Sequence, residues 1–242
     1  MAKQKSNLPT RPIASTFQIV EAYKAIRTNL LFALATANSK VVIISSAEPN
    51  AGKSTAASNL AITMAQTGAR VLLIDADMRK PSQHKVFRLK KANGLSMILS
   101  GLMTYEECVC REVAKGLDLI TCGTLPPNPS ELLGSEAMGN FLSEMQEHYD
   151  YIFVDTPPLC VVSDALVLSD KAAGIVLVCR QRQTTYEELQ HAVDNVKDVQ
   201  GNLLGAVITD MKENGRTNGK YDRYKYYKSY DYSYTSATVD GK

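Results

Sequence analysis

Lys40-Val41-Val42-Ile43-Ile44-Ser45-Ser46-Ala47-Glu48-Pro49-Asn50-Ala51-Gly52-Lys53-Ser54-Thr55 is the stretch that decides the fold. Val41-Val42-Ile43-Ile44 is a short β-branched run, the pattern of a strand buried on both faces. Residues 55–66 read as a helix, stopped by Gly68. Between the two, residues 47–55 have the strand–loop–helix context of a P-loop. Backbone amides of such a turn converge on phosphate oxygens at a helix N-terminus, where the helix dipole favours negative charge. The loop therefore predicts ATP as cofactor, held by Pro49, Asn50, Ala51, Gly52, Lys53, Ser54 and Thr55. Lys53 would contact the β- and γ-phosphates, and the Ser54 hydroxyl would ligate magnesium. Ala47 stands where a first glycine is usual, which is tolerable if that position keeps a negative φ. A chance Gly-Lys-Ser at a helix start is the competing reading, and the preceding strand weighs against it.

Working outward, Val71-Leu72-Leu73-Ile74, Tyr151-Ile152-Phe153-Val154, Ile175-Val176-Leu177-Val178 and Leu204-Gly205-Ala206-Val207-Ile208 supply four more buried strands. Helical segments are expected at 136–148 and 185–199. A further amphipathic helix is expected at 17–34, where Val20, Tyr23, Ile26, Leu30 and Leu34 recur at helical spacing. Strands alternating with helices predict an α/β P-loop NTPase, with a doubly wound, mostly parallel sheet and helices on both faces. The polar, Pro-bearing residues 1–16 read as a flexible arm and 17–211 as the domain. Residues 212–242 have too few aliphatic side chains for a core and read as a disordered tail.

Three acids follow two of these strands. Val71-Leu72-Leu73-Ile74-Asp75-Ala76-Asp77-Met78-Arg79 puts Asp75 and Asp77 past a strand end, where parallel sheets bind ligands. Two apart in an extended segment, they should point to the same side. One could order magnesium or its waters while the other takes a proton from an attacking hydroxyl. Arg79 could neutralise phosphate charge or pair with an acid. Tyr151-Ile152-Phe153-Val154-Asp155-Thr156-Pro157-Pro158 resembles a Walker B strand, with Asp155 placed for the magnesium shell, against the plainer reading of a strand-end turn.

Composition narrows the class. With 27 Lys and Arg against 25 Asp and Glu, the net charge is +2, too balanced for a general nucleic-acid binder. No apolar run reaches the roughly 18 residues of a membrane helix, and the start shows no signal peptide, so a cytoplasmic location is expected. Five irregularly spaced cysteines suit free thiols in a reducing compartment, and the Cys108/Cys110 pair lacks a second pair to complete a metal site.

Tyr221, Tyr224, Tyr226, Tyr227, Tyr230, Tyr232 and Tyr234 crowd the polar C-terminal segment without a packing reason. They could be phosphoacceptors, a stacking surface for single-stranded nucleic acid, or a β-prone sticky tail. Lys225 and Lys228 favour the second, and Asp222 and Asp231 dilute it.

Together these residues resemble the bacterial tyrosine kinases of capsule and exopolysaccharide synthesis, in the form without a fused membrane segment. The resemblance runs from about Phe17 into the tail. It is carried by the P-loop with Pro49, by Asp75-Ala76-Asp77-Met78-Arg79 (the family's Walker A′) and by Asp155-Thr156-Pro157-Pro158. The stretch 123–133 with Pro127-Asn128-Pro129-Ser130-Glu131-Leu132-Leu133, and the tyrosine cluster, complete it. It implies a protein-tyrosine kinase that phosphorylates its own C-terminal tyrosines, largely between subunits of a ring, and so regulates polysaccharide synthesis and export. Lys53, Asp75, Asp77, Asp155 and Arg79 are then catalytic, with Asp77 as base, and Ser54, Asp77 and Asp155 hold magnesium. Glu21, Lys24 and Arg27 match the family's Glu-x-x-Arg-x-x-Arg oligomerisation motif, with Lys at the middle position. The implied partners are an activating membrane adaptor, which recruits the kinase to the inner face of the membrane, and a tyrosine phosphatase; no nucleic acid is implied. The partitioning ATPases of similar fold carry a second lysine where Glu48 stands, and the iron–sulfur carriers need a C-x-x-C pair that is missing. A non-catalytic ATP-binding regulatory module is the remaining alternative.

Overall fold

The computed structural model describes residues 17–90 and 93–211. The expected N-terminal arm and tyrosine-rich tail lie outside the described residues. The helices are α1 (Phe17–Leu34), α2 (Lys53–Ala65), α3 (Gln83–Val86), α4 (Leu95–Leu99), α5 (Tyr105–Cys108), α6 (Pro129–Gly134), α7 (Glu136–His148) and α8 (Tyr186–Asp198), with a 3-10 segment at Ser163–Lys171. The strands are β1 (Val41–Ser46), β2 (Val71–Asp75), β3 (Val109–Ala114), β4 (Leu117–Ile120), β5 (Tyr151–Asp155), β6 (Gly174–Arg180) and β7 (Leu203–Thr209).

They form one sheet in the order β3-β4-β2-β5-β1-β6-β7, parallel except for the β3–β4 pair. The doubly wound architecture is therefore as expected, with two strands more than the five read from the sequence; β7, expected to be buried, is instead an edge strand in which Val207 alone is buried. Side chains alternate between two cores, as the two-residue period of a strand requires. Val41, Ile43, Leu72, Ile74, Ile152 and Val154 pack on one face against α7, α8 and the 3-10 segment, through Met138, Phe141, Leu142, Met145, Ala165, Leu168, Ala192 and Val196. Val42, Ile44, Val71, Leu73 and Phe153 pack on the other against α1 and α2. Helix α2 touches both the sheet and α1, and every residue from Ala56 to Ala65 is buried. Its small residues Ala56, Ala57, Ser58, Ala61 and Ala65 permit that close approach.

Helix α1 forms as its spacing foretold, burying Leu30 and Leu34 with Tyr23 and Ile26 partly covered. Helix α2 ends at Ala65, and in the turn that follows, Gly68, whose φ of 92° favours glycine, returns its N–H to the Ala65 carbonyl. None of the five cysteines is in a disulfide. Among the described residues no helix is long and apolar enough to cross a membrane.

Candidate site for nucleotide and phosphoryl transfer

The ends of β1, β2, β5 and β7 place the site. Asp75 and Asp155 are directly opposed as the last residues of the paired strands β2 and β5. The loop after β1 turns through left-handed Asn50 (φ 65°) and Gly52 (φ 92°), while Ala47 keeps a negative φ, as its acceptance there required. At Gly52 a methyl group would meet Thr209 at an ordinary 3.5 Å, so the backbone angle, not space, calls for glycine. No side chain caps α2 at Gly52, which leaves its first amides available to an anion.

Lys53 is central. Its ammonium donates to Asp77 Oδ2 at 2.7 Å and lies 3.9 Å from Asp155 Oδ1. Burial alone would lower the Lys53 ammonium, but Asp155, Asp77 and Asp75 together hold it above its ordinary range. Asp77 Oδ1 accepts the Lys80 N–H at 2.8 Å. Asp75 and Asp77 both act on Lys53 but have different hydrogen-bond partners. Asp75 Oδ2 accepts the Ser82 and Gln83 backbone N–H groups at 3.0 and 2.8 Å, and its Oδ1 is buried without a partner. Burial first, then the Asp155 charge, pushes the Asp75 carboxyl up to about 7. Asp155 is wholly buried, and that burial raises its carboxyl against the pull of Lys53. Its Oδ1 also lacks a hydrogen-bond partner.

These orphaned oxygens fit a cation bound with nucleotide. Among the described residues no three His, Cys, Asp or Glu side chains converge to hold an ion by themselves. A magnesium here would draw its other ligands from the Ser54 hydroxyl, phosphate and water, as magnesium commonly does.

Arg79 takes the second of its two expected options. Its Nε and Nη2 form a bidentate pair with the two oxygens of buried Asp164, each at 2.9 Å, and Nη2 also donates to Ser130 Oγ at 3.1 Å. The Ser130 hydroxyl in turn donates to Asp164. This clamp joins the loop after β2 to α6 and the 3-10 segment. Glu48, at the position of the partitioning ATPases' second lysine, accepts the Thr184 hydroxyl. Gln183 and Arg180 donate to the Pro49 and Asn50 carbonyls at 3.4 and 3.3 Å, and Thr209 donates to the Ala51 carbonyl at 2.7 Å. The P-loop is thus braced from β6 and β7. Thr55 lies in the first turn of α2, and its carbonyl accepts the Asn59 amide.

The proposed oligomerisation residues lie on α1. Glu21 and Lys24 pair with each other at 2.6 Å on the surface. Arg27 donates to the Thr63 carbonyl of α2 at 2.9 Å, with its Nε buried and unpartnered. Sequence reasoning missed Asp164 and Gln83, and singled out the stretch holding Ser130 without giving Ser130 a role. A hollow of about 420 Å³ at the starts of β2 and β4 is lined by Arg70, Tyr105, Arg111, Asp118, His148 and Tyr149. Its arginines already pair, Arg111 with Asp118 and Arg70 with Asp150.

Residues 29–206 match the family described as "AAA domain". The chain is 41% identical over 211 residues to the tyrosine-protein kinase YwqD of Bacillus subtilis, an alignment covering 87% of each chain. The kinase domain of the Escherichia coli tyrosine kinase ETK is similar in structure, with a TM-score of 0.81 and 32% identity over 91% of this chain and 88% of that one. The chimerical protein CapA2B2 is also similar, with a TM-score of 0.76 and 36% identity over 80% and 85% of the two chains.

Proposed function

The chain belongs to the bacterial tyrosine-protein kinases, and from that premise we propose that it transfers the γ-phosphoryl group of ATP to tyrosines of its own C-terminal segment, largely between neighbouring subunits. The observation that carries this reading is Lys53 at the head of the P-loop helix, 2.7 Å from Asp77 and 3.9 Å from Asp155. Phosphate oxygens arriving in the loop would compete with Asp77 for the Lys53 ammonium. Asp77, so released, accepts the phenolic proton as the tyrosine oxygen bonds to the γ-phosphorus. The bond from that phosphorus to the β–γ bridging oxygen breaks, and ADP leaves. Bound magnesium would neutralise phosphate charge at Ser54, Asp77 and Asp155. Asp75, beside Asp155, adds to the negative field that holds Lys53 charged. We assign Arg79 a supporting part, keeping the Asp77 loop in place through Asp164.

The acceptors we propose, Tyr221, Tyr224, Tyr226, Tyr227, Tyr230, Tyr232 and Tyr234, lie outside the described residues. Among the described tyrosines, Tyr186 is well exposed, whereas Tyr105 is buried and bonded to Tyr149, so Tyr186 is the competing acceptor. Ring assembly through Glu21, Lys24 and Arg27, activation by a membrane adaptor that recruits the kinase to the inner face of the membrane, reversal by a phosphatase, and control of capsule or exopolysaccharide synthesis belong to the same proposal. The family resemblance supports them. The test uses purified protein, magnesium ATP and a phosphotyrosine blot. Lys53→Met should lower labelling by at least about 100-fold, the scale of losing one aligned charge on the transferred group, while the protein stays folded. Labelling that survives the change contradicts the assignment of the site.

A further inference from the structure

Gln83 belongs to no motif of the sequence, yet it bonds to Asp75, Asp155 and Ser54 of the site. It is the first residue of α3 and has 0% of its surface exposed. Its Nε2 donates to Asp155 Oδ2 at 2.8 Å and to the Ser54 carbonyl at 3.0 Å. Its Oε1 accepts the Ser58 hydroxyl at 2.7 Å. Its backbone N–H donates to Asp75 Oδ2 at 2.8 Å. One residue thus joins the loop after β2, the P-loop helix and the end of β5.

Burying an amide is costly unless every polar atom is partnered, and an apolar side chain of equal volume would fill the place at less cost. The orientation of the amide is also determined. A flip would set Oε1 against both the Asp155 carboxylate and the Ser54 carbonyl and lose the two Nε2 bonds, whereas the Ser58 hydroxyl, which also reaches the Ser54 carbonyl at 2.7 Å, can donate or accept. The consequence falls on the acids. Oδ2 of Asp75 and of Asp155 are both engaged by Gln83, and in each case Oδ1 is buried without a hydrogen bond. For Asp155 that oxygen is the one that ion-pairs with Lys53 at 3.9 Å.

We propose that Gln83 is a positioning residue, which fixes the rotamer of Asp155 against the P-loop helix and so presents one oxygen of Asp155 to a cation bound with the nucleotide. This rests on the nucleotide site proposed above and adds to it an anchor outside the acidic motifs. A donor to a carboxylate also favours its charged form, which is the form a cation binds.

The test measures the affinity of the full chain for a fluorescent ATP analogue with and without magnesium, and the ratio of the two affinities is the readout. In the unaltered protein magnesium should tighten binding. In Gln83→Met, which keeps the length and loses the donors, the ratio should fall about tenfold or more. Ser58→Ala removes the bond to Oε1 but leaves both Nε2 donations, to Asp155 Oδ2 and the Ser54 carbonyl, in place, so the ratio should change by less than about twofold. A purely structural role predicts a lower melting temperature with the ratio unchanged in folded Gln83→Met, and that result overturns the proposal, as does a loss in Ser58→Ala as large as that in Gln83→Met. If magnesium has no effect in the unaltered protein, the nucleotide reading itself fails and takes this inference with it.

Discussion

Asp75 shows how one buried carboxyl ties function to stability. Its folded value, pushed up to about 7 by burial and by Asp155, lies above the ~3.9 of an unfolded chain. Between those values the folded protein binds more protons than the unfolded one. The stability it contributes is therefore present below about pH 4 and is lost as pH rises through about 7. Asp75→Asn keeps an oxygen for the Ser82 and Gln83 N–H groups and removes the charge. Nucleotide-free protein with this change should melt higher than the parent at pH 8, by about 2–4 °C for each kcal/mol recovered. Thermal melts should show the difference shrinking towards pH 5, and a difference independent of pH contradicts the account. The same single-residue economy explains why Gln83 was invisible in the sequence. Its partner Asp155 is 72 positions away, so no local pattern marks it, and a glutamine after Pro81-Ser82 reads as an ordinary helix start.

At the scale of elements, the site is a meeting of strand ends held by cross-braces. The Arg79–Asp164 pair is the strongest of these, because Asp164 is fully buried and both its oxygens are engaged. Removing Arg79 leaves that charge with the Ser130 hydroxyl alone. Since the Arg79 side chain is 43% exposed, water can reach part of the space, and Arg79→Ala should cost about 1–3 kcal/mol rather than the full penalty of an isolated buried charge. Denaturant melts would check it; a loss below a few tenths of a kcal/mol would show the clamp to be idle. Strands β1, β2, β5 and β6 were legible because strands covered on both faces read as unbroken apolar runs; β7 shows a similar aliphatic run yet lies at the sheet edge, with Val207 its one buried residue. The P-loop, Asp75, Asp77 and Asp155 were legible because they sit at the ends of those runs. The hairpin β3–β4 was not. Its edge strand carries exposed Arg111 and Glu112, with Glu112 at φ 49°, and β4 is only four residues long, so neither shows an apolar run or a clean alternation. Asp164 lies in a 3-10 segment, 85 positions from Arg79, and its role exists only once the chain has folded.

At the scale of the whole molecule, the proposed phosphoryl-transfer site sits at the ends of strands in a seven-stranded sheet, and its proposed substrate is its own C-terminal segment. Extended at up to ~3.5 Å per residue, that length of chain can reach its own site or a neighbour's. Each phosphate adds up to about −2 charge, so several on one segment repel one another and should weaken the proposed subunit contact. Size-exclusion chromatography should then find the phosphorylated protein in smaller assemblies than the unmodified one, and equal elution would contradict this mode of release. Changing the seven tail tyrosines to Phe should remove most of the incorporated phosphate and leave ATP binding intact. The most direct test of the central claim is phosphopeptide mapping after the purified full chain is incubated with magnesium ATP. The account predicts phosphate on tyrosines between Tyr221 and Tyr234 in the unaltered protein and none in Lys53→Met. Phosphate that survives in Lys53→Met, or that maps only to Tyr186, would contradict it.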